Sequence, residues 1–327
     1  IPRNQPFRLL GFLVWDIRSA KIWDTEHYSL TLWMELTKIG DEESGMCGGD
    51  NPLHHPKTTG ARRAAYNFII MRCEKRTDAP DRKETKLMYG WRAKIGLITP
   101  MSENAEHAFH LYAPEGVSFA SMKINFPGPT PEGLTILTDQ LEETAAKYKG
   151  MPYQLVVFGC TSGSCIKGVG WDQECINQIE RASGIPGLTT STAVLESLRA
   201  LGTKKVAVLT PYPEATNEAE KKFLEDNGFE VTNIVGMDMS PFSRADGLSF
   251  EDADEVFLYR NATRMDLKGA DTFFLSCMGL TTMEIIDDLE KNMGIPVITS
   301  HQATLWSALR HCRIGTKMPK LGKLFTL

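Results

Sequence analysis

The sequence predicts an α/β protein built as two pseudo-symmetric, doubly wound lobes with parallel sheets, and with a ligand site between them. Three observations carry that expectation. From residue 93 onward, short β-branched runs alternate with amphipathic stretches, as strands and the helices that cover them do. Runs such as Leu155-Val-Val-Phe158 are apolar without alternation, which is how a parallel strand covered on both faces reads. Finally, the two halves repeat each other. Lys94-Ile-Gly-Leu-Ile-Thr-Pro100 is echoed by Lys205-Val-Ala-Val-Leu-Thr-Pro211, and each leads to an apolar run ending in cysteine, Val156-Val-Phe-Gly-Cys160 and Phe273-Phe-Leu-Ser-Cys277. The cysteines stand 60 and 66 residues beyond their prolines.

Taken in chain order, residues 1–87 show no sustained periodicity, and 38–56 are rich in Gly, Asp, Asn, Pro and His. They are expected to form an N-terminal extension with little part in the chemistry, joined through residues 72–86, where ten of fifteen side chains are charged. Met88, just before the first crisp strand, is the expected natural start of the remainder. Strands are expected at 93–99, 117–124, 153–159, 204–210, 229–235, 271–276 and 296–299. Helices are expected at 131–149, 171–183, 190–201, 214–227, 250–264, 282–292 and 302–311. The first lobe then spans 88–200 and the second 201–327.

Composition narrows the function. The 36 Lys and Arg against 41 Asp and Glu leave a net charge of −5 without a basic cluster, so neither nucleic acid nor a membrane is an expected partner. Every apolar run is broken by charge within about ten residues, short of the roughly 18–20 a membrane span needs. The apolar stretch 7–15 runs straight into Asp16 and Arg18 with no small-residue cleavage pattern, so it does not read as a signal peptide. Seven cysteines, an odd count without close pairs, fit reduced thiols in the cytoplasm. No phosphate-binding glycine fingerprint occurs. Cys47 with His54-His55 lacks the paired spacing of zinc modules, and no metal is expected. Nothing in the sequence opposes a homo-oligomer.

In open α/β sheets ligands bind beyond the carboxyl ends of the strands, and both repeated cysteines sit at such ends. A pseudo-twofold arrangement points Cys160 and Cys277 into one cleft, with Tyr212 near it. Thr161-Ser162-Gly163-Ser164 after Cys160 offers hydroxyls and backbone N–H groups to an anion. The same donors are expected to lower the Cys160 thiol from about 8.5 towards neutrality. Ser276-Cys-Met-Gly-Leu280 is a similar setting. A single buried cysteine at a strand end is more often a small apolar filler; two at matched points of a duplication argue for chemistry. Cys165 and Cys175 read as packing residues, and the Glu218 to Glu225 charges as the solvated face of a helix.

Gly159-Cys-Thr-Ser-Gly-Ser164, Leu209-Thr-Pro-Tyr-Pro213 with Asn217-Glu218, and Cys277 resemble the motif set of maleate cis-trans isomerases in the Asp/Glu racemase superfamily. Ala113-Pro-Glu-Gly-Val-Ser-Phe119 and Ser300-His-Gln-Ala-Thr-Leu-Trp306 are also similar to that superfamily, the latter to its arylmalonate decarboxylase relatives. The resemblance covers roughly residues 90–312. It implies a cofactor-independent reaction on a small carboxylic acid, in which Cys160 adds as thiolate to an alkene carbon and Cys277 moves the proton. It further implies that Thr161, Ser162, Met278 and Gly279 hold carboxylates by backbone N–H, Tyr212 by its hydroxyl and Asn104 by its amide. Racemases of the superfamily use two cysteines as well, and a lyase or a binding protein without turnover remain the competing readings. Arylmalonate decarboxylases have glycine at the first position, which Cys160 speaks against. In Pro100-Met-Ser-Glu-Asn104 the family's binding asparagine falls on Glu103, or on Asn104 if the loop has gained a residue. His301 stands where asparagine is more usual, and a further asparagine expected between Tyr212 and Cys277 has no match.

Overall fold

The computed structural model describes residues 89–244, 247–248 and 252–327. The N-terminal extension, with Cys47, His54, His55, Cys73 and Met88, lies outside them. In order, the elements are β1 (Ala93–Pro100), α1 (Asn104–Tyr112), β2 (Val117–Ile124), α2 (Pro131–Thr138), α3 (Leu141–Ala146), β3 (Leu155–Phe158), α4 (Thr161–Cys165), α5 (Trp171–Ser183), β4 (Gly187–Thr189) and α6 (Thr190–Leu201). Then follow β5 (Lys205–Thr210), α7 (Glu214–Asp226), β6 (Glu230–Gly236), the short pair β7 (Ser243–Arg244) and β8 (Gly247–Leu248), α8 (Glu255–Arg264), β9 (Thr272–Leu275), α9 (Ile286–Met293), β10 (Val297–Thr299) and α10 (Ser300–His311).

Two parallel four-stranded sheets form, ordered β2-β1-β3-β4 and β6-β5-β9-β10. The orders match term for term, so the sequence repeat is a structural one. In the first sheet Ile95 pairs with Phe119 and with Leu155, and in the second Ala207 pairs with Phe273. Alternate side chains of each strand face opposite ways. Ile95, Leu97, Leu155 and Val157 therefore join Leu209, Phe273, Leu275 and Cys277 in one core that runs across both lobes. Ile98, Val156 and Phe158 instead meet Leu134, Leu137, Tyr148 and Ile179 on the far side of the first sheet. Gly96 is required there because a Cβ would lie 2.6 Å from the Tyr148 ring, whose hydroxyl reaches the Leu97 and Ala120 carbonyls at 2.7 and 2.8 Å.

The matched edge strands β4 and β10 each end in a capping threonine. Thr189 accepts the Thr192 N–H, and Thr299 accepts the Gln302 N–H while the Gln302 side chain accepts that of Thr299. Such caps are worth about 1 kcal/mol each, and they start α6 and α10 directly at the strand ends, where these two helices pack on one another.

All seven expected strands are present. The three-residue β4 was too short to show a period. The expected helix 131–149 is two: Thr135 and Thr138 turn their hydroxyls to the carbonyls of Pro131 and Thr135, competing with the helical ladder, and the chain turns at Asp139-Gln140. The helix expected from 250 begins after Asp254, whose carboxylate caps it by accepting the Phe257 N–H at 2.7 Å. The one expected from 282 begins at Ile286. Helix α1 has no counterpart in the sequence reading, because Asn104-Ala-Glu-His-Ala-Phe-His-Leu-Tyr112 buries only Ala105 and Phe109. Among the described residues no helix is long and apolar enough to cross a membrane.

Candidate active site

Beyond Phe158 the first sheet ends in Gly159 and Cys160. Gly159 admits no side chain cheaply: a Cβ would stand 2.9 Å from Thr99 Cγ2, and 3.6 Å from the Met278 methyl of the other lobe. Cys160 is extended, with φ −144° and ψ 110°, and caps α4 through Sγ, which accepts the Gly163 N–H at 3.4 Å. A Cβ on Gly163 would come within 3.0 Å of that sulfur.

The second sheet ends in Ser276 and Cys277. Cys277 has φ 133°, a region that costs a residue with a Cβ on the order of 1–3 kcal/mol. Two bonds hold it there. Its N–H donates to Ser300 Oγ at 3.0 Å, and its sulfur accepts the Gly279 N–H at 3.3 Å. Ser300 Oγ also accepts the Thr161 hydroxyl at 2.8 Å, so one oxygen at the start of α10 ties the two cysteine loops together across the lobes. A second crossing, from Thr304 to Thr190 at 3.1 Å, lies one helical turn below.

Tyr212 follows Thr210-Pro211 at the end of β5. Its N–H donates to Thr210 Oγ1, while Asn217 accepts the Thr210 hydroxyl at 2.5 Å and donates to the Tyr212 carbonyl at 3.2 Å. That clamp places the phenol where it and the Cys277 thiol act on one another. Asn104, the first residue of α1, donates to the Gly279 carbonyl at 3.0 Å, whereas Glu103 before it is exposed. Asn104 rather than Glu103 therefore meets the Cys277 loop.

The expected site residues thus converge, with two differences. Gly279 spends its N–H on Cys277 and so holds the site together rather than standing open, while the Thr161 hydroxyl is committed to Ser300 and leaves the expected part of its N–H untouched. The electrostatics also run opposite to expectation. Cys160 and Cys277 are only 5% and 6% exposed. Burial pushes the Cys160 thiol up to about 11 and the Cys277 thiol up to about 12, outweighing the Gly163 and Gly279 N–H donors that pull them down. No lysine, arginine or histidine is among the groups that act on either sulfur. The lowered Cys160 thiol expected from the loop sequence is thereby corrected. Asn104 and Gly279 are the partly exposed members and form the solvent-facing edge.

Three further residues belong to this neighbourhood. Ser300 was quoted in a motif without a role; its match with Thr190, each the residue after a strand-ending threonine, was the available signal. Glu220 lies among the charges read as a solvated face, yet it is 2% exposed, with Oε1 accepting the Ser276 hydroxyl at 2.7 Å. That reading is corrected for Glu220: the inner face of α7 also carries Thr216, Asn217, Phe223 and Leu224. His301 is buried beside the backbone of Asn104 and Met278, and burial holds it down to about 4, hence neutral. Cys165 and Cys175 are sealed in the cores, as packing cysteines should be. Among the described residues no three His, Cys, Asp or Glu side chains gather as a metal ion would need.

Comparison with known proteins adds family context. The arylmalonate decarboxylase family model matches residues 95–325. Arylmalonate decarboxylase of Bordetella bronchiseptica is 28% identical over 240 residues, which cover 71% of this chain and 95% of that one. Maleate isomerase of Nocardia farcinica is 24% identical over 242 residues, covering 71% and 94%. Among solved structures, a glycine-to-cysteine, cysteine-to-serine mutant of arylmalonate decarboxylase in the liganded form is similar with a TM-score of 0.61 at 28% identity, over 71% of this chain and 98% of that one. A cysteine-to-serine mutant of the Nocardia farcinica maleate cis-trans isomerase, carrying a covalently bound succinylcysteine intermediate, shares the fold with a TM-score of 0.65 at 21% identity, over the same shares.

Proposed function

This chain belongs to the arylmalonate decarboxylase family, whose matched relatives are enzymes, and from that premise we propose that it is a two-cysteine isomerase of a small unsaturated dicarboxylic acid. The observation that carries the reading is the pair of cysteine loops joined through Ser300, one sulfur from each matched lobe. The substituted glycine and cysteine of the arylmalonate decarboxylase mutant lie 114 positions apart, and Cys160 and Cys277 lie 117 apart. The comparison supports equating Cys160 with a position where that decarboxylase carries glycine and Cys277 with the cysteine it keeps. A cysteine at both is what addition to an alkene uses, and the succinylcysteine adduct of the Nocardia farcinica isomerase mutant supports the same chemistry here.

In this reading Cys160 Sγ bonds to one alkene carbon, the π pair moves to the neighbouring carbon, and that carbon takes a proton from Cys277. The former double bond is now single and rotates. Return of the proton to Cys277 and expulsion of the Cys160 thiolate restore the alkene with trans geometry, so atoms and charge balance without a metal or organic cofactor. Tyr212, Asn104 and the N–H groups of Ser162 and Met278 orient the carboxylates. The protein is expected to act on a small carboxylic acid rather than on nucleic acid or membrane.

Proton NMR of the full chain with maleate tests this. Fumarate should form with the wild type, and Cys160→Ala and Cys277→Ala should each lose it. The 28% identity to arylmalonate decarboxylase favours one second reading, protonation by Cys277 after loss of carbon dioxide. Carbon dioxide release from phenylmalonate that survives Cys160→Ala, with maleate untouched, would select it.

A further inference from the structure

Glu220 is a carboxylic acid in a place built for apolar packing. Aligning the two Thr-Pro corners, Pro100 with Pro211, puts Glu220 on the position that Phe109 fills in the first lobe, and both side chains are buried. A phenylalanine therefore satisfies packing at this point of the fold, and the second lobe carries an ionisable group instead. Oε1 accepts the hydroxyl of Ser276, the residue before Cys277, at 2.7 Å, and Oε2 is buried without a partner. The titratable groups that sense its charge are Cys165 from α4, Tyr212 from the β5–α7 turn and Cys277 beyond β9. Among the described residues no cation acts on it.

We propose that Glu220 is a positioning residue for the second thiol: its carboxylate, fixed under Ser276-Cys277 with one oxygen uncommitted, keeps Cys277 in the protonated form that a proton donor needs. This rests on the reading of Cys277 as proton donor. A like charge disfavours the thiolate. At an effective dielectric of about 20 a nearby like charge shifts a thiol by roughly one unit, on top of the larger rise that burial gives Cys277. Burial drives the Glu220 carboxyl up to about 7, against the pull of the Ser276 hydrogen bond. Its charge under Cys277 accordingly appears as the pH passes through neutrality, and a buried carboxyl with no cation beside it is the arrangement that allows this.

The test needs no turnover. The full chain, wild type and Glu220→Gln, is treated with iodoacetamide from pH 5.5 to 8.5, and the rate at Cys277 is read by peptide mass spectrometry. The ratio of variant to wild-type rate should be near one at pH 5.5, where both side chains are neutral, and rise to about tenfold at pH 8.5. A ratio that does not change with pH overturns the proposal, whether it stays at one or stands above one because the variant opens more readily. Should Glu220→Gln fail to fold, Ser276→Ala keeps the carboxyl and removes its donor. The inflection of the Cys277 rate near neutrality should then move to higher pH, and an unmoved inflection overturns the proposal. Loss or absence of maleate turnover bears only on the proposed isomerase.

Discussion

Replacing Ser300 by alanine deletes one oxygen that two groups from different lobes share. The Cys277 N–H, 3.0 Å away, and the Thr161 hydroxyl, 2.8 Å away, both lose their acceptor in a site with almost no solvent. A buried N–H left unpaired costs about 1–3 kcal/mol. The Thr161 hydroxyl can rotate towards another acceptor and adds about 1 kcal/mol at most. Together they predict a loss of about 1–4 kcal/mol. Two-state domains of this size lose roughly 2–4 °C of Tm per kcal/mol, so Ser300→Ala should melt roughly 2–16 °C below the wild type in a calorimetric scan. Ser300→Thr separates the oxygen from the shape. Thr190 occupies the matched place in the first lobe, at the start of α6, so the backbone there accepts a β-branched residue, and the variant should recover most of the loss. A Ser300→Ala melt within 1 °C of the wild type, or a Ser300→Thr melt as low as that of alanine, would refute the bridging role. Because Cys277 sits at φ 133°, freeing its N–H should also let the sulfur drift, and isomerisation of maleate should fall further than the loss of folded protein explains.

The buried Cys160 thiol should alkylate slowly at pH 7 and gain about tenfold in rate per pH unit up to pH 9, since its shift to about 11 leaves only traces of thiolate; a rate plateau below pH 8 contradicts this. Asn104→Asp should impair maleate turnover more than Asn104→Ala, by about tenfold, because an acidic side chain sets an acceptor against the Gly279 carbonyl and adds a charge facing the substrate; equal effects would mean the amide only fills space. Gly96→Ala drives a Cβ to 2.6 Å from the Tyr148 ring and should cost about 1–3 kcal/mol of stability in urea melts. His301, held down to about 4 against 6.5 when exposed, contributes stability that is present above pH 6.5 and is lost as the pH falls through 4. Between those limits His301→Asn should lose about 3 kcal/mol less than the wild type does, and parallel stability curves would dispose of the buried neutral imidazole.

Much of this frame was legible because it obeys short rules. Past Lys94 and Lys205 both strands are apolar or small at every position, and their identical Thr-Pro endings announce the duplication. Both cysteines follow from the same repeat. What escaped depends on contacts between segments far apart in sequence. Ser300 matters because Thr161, 139 residues away, points at it. Asn104 could not be chosen over Glu103 without knowing where α1 begins, and that helix is nearly invisible because only Ala105 and Phe109 are buried. Glu220 sits in a run of charges, Glu218 to Glu225, whose composition points to solvent, although its spacing from Phe223 and Leu224 puts it on their face, and α7 packs that face on β6 and α4. The thiols misled in a different way: the loop sequence shows the N–H donors that lower a cysteine, whereas the desolvation that raises it belongs to the assembled lobes.

The duplication supplies two equivalent places for sulfur, and departures from it make the two sulfurs unequal. Cys160 has an ordinary extended backbone and caps a short helix beside the Ser162 hydroxyl. Cys277 is held at positive φ with the Tyr212 phenol on one side and the Glu220–Ser276 pair behind it. The first lobe has no equivalents: the residue after its Thr-Pro is Met101, largely exposed, and the position matched to Glu220 is Phe109. A symmetric pair of thiols would compete for both halves of an addition reaction. Burial with an extra acid behind it raises the cost of the Cys277 thiolate beyond what the Tyr212 hydroxyl pulls back, and leaves Cys160 as the sulfur more easily ionised. The asymmetry therefore argues for Cys160 as nucleophile and Cys277 as proton donor on grounds independent of any relative, and Phe109→Glu should erode the difference in alkylation rate between them.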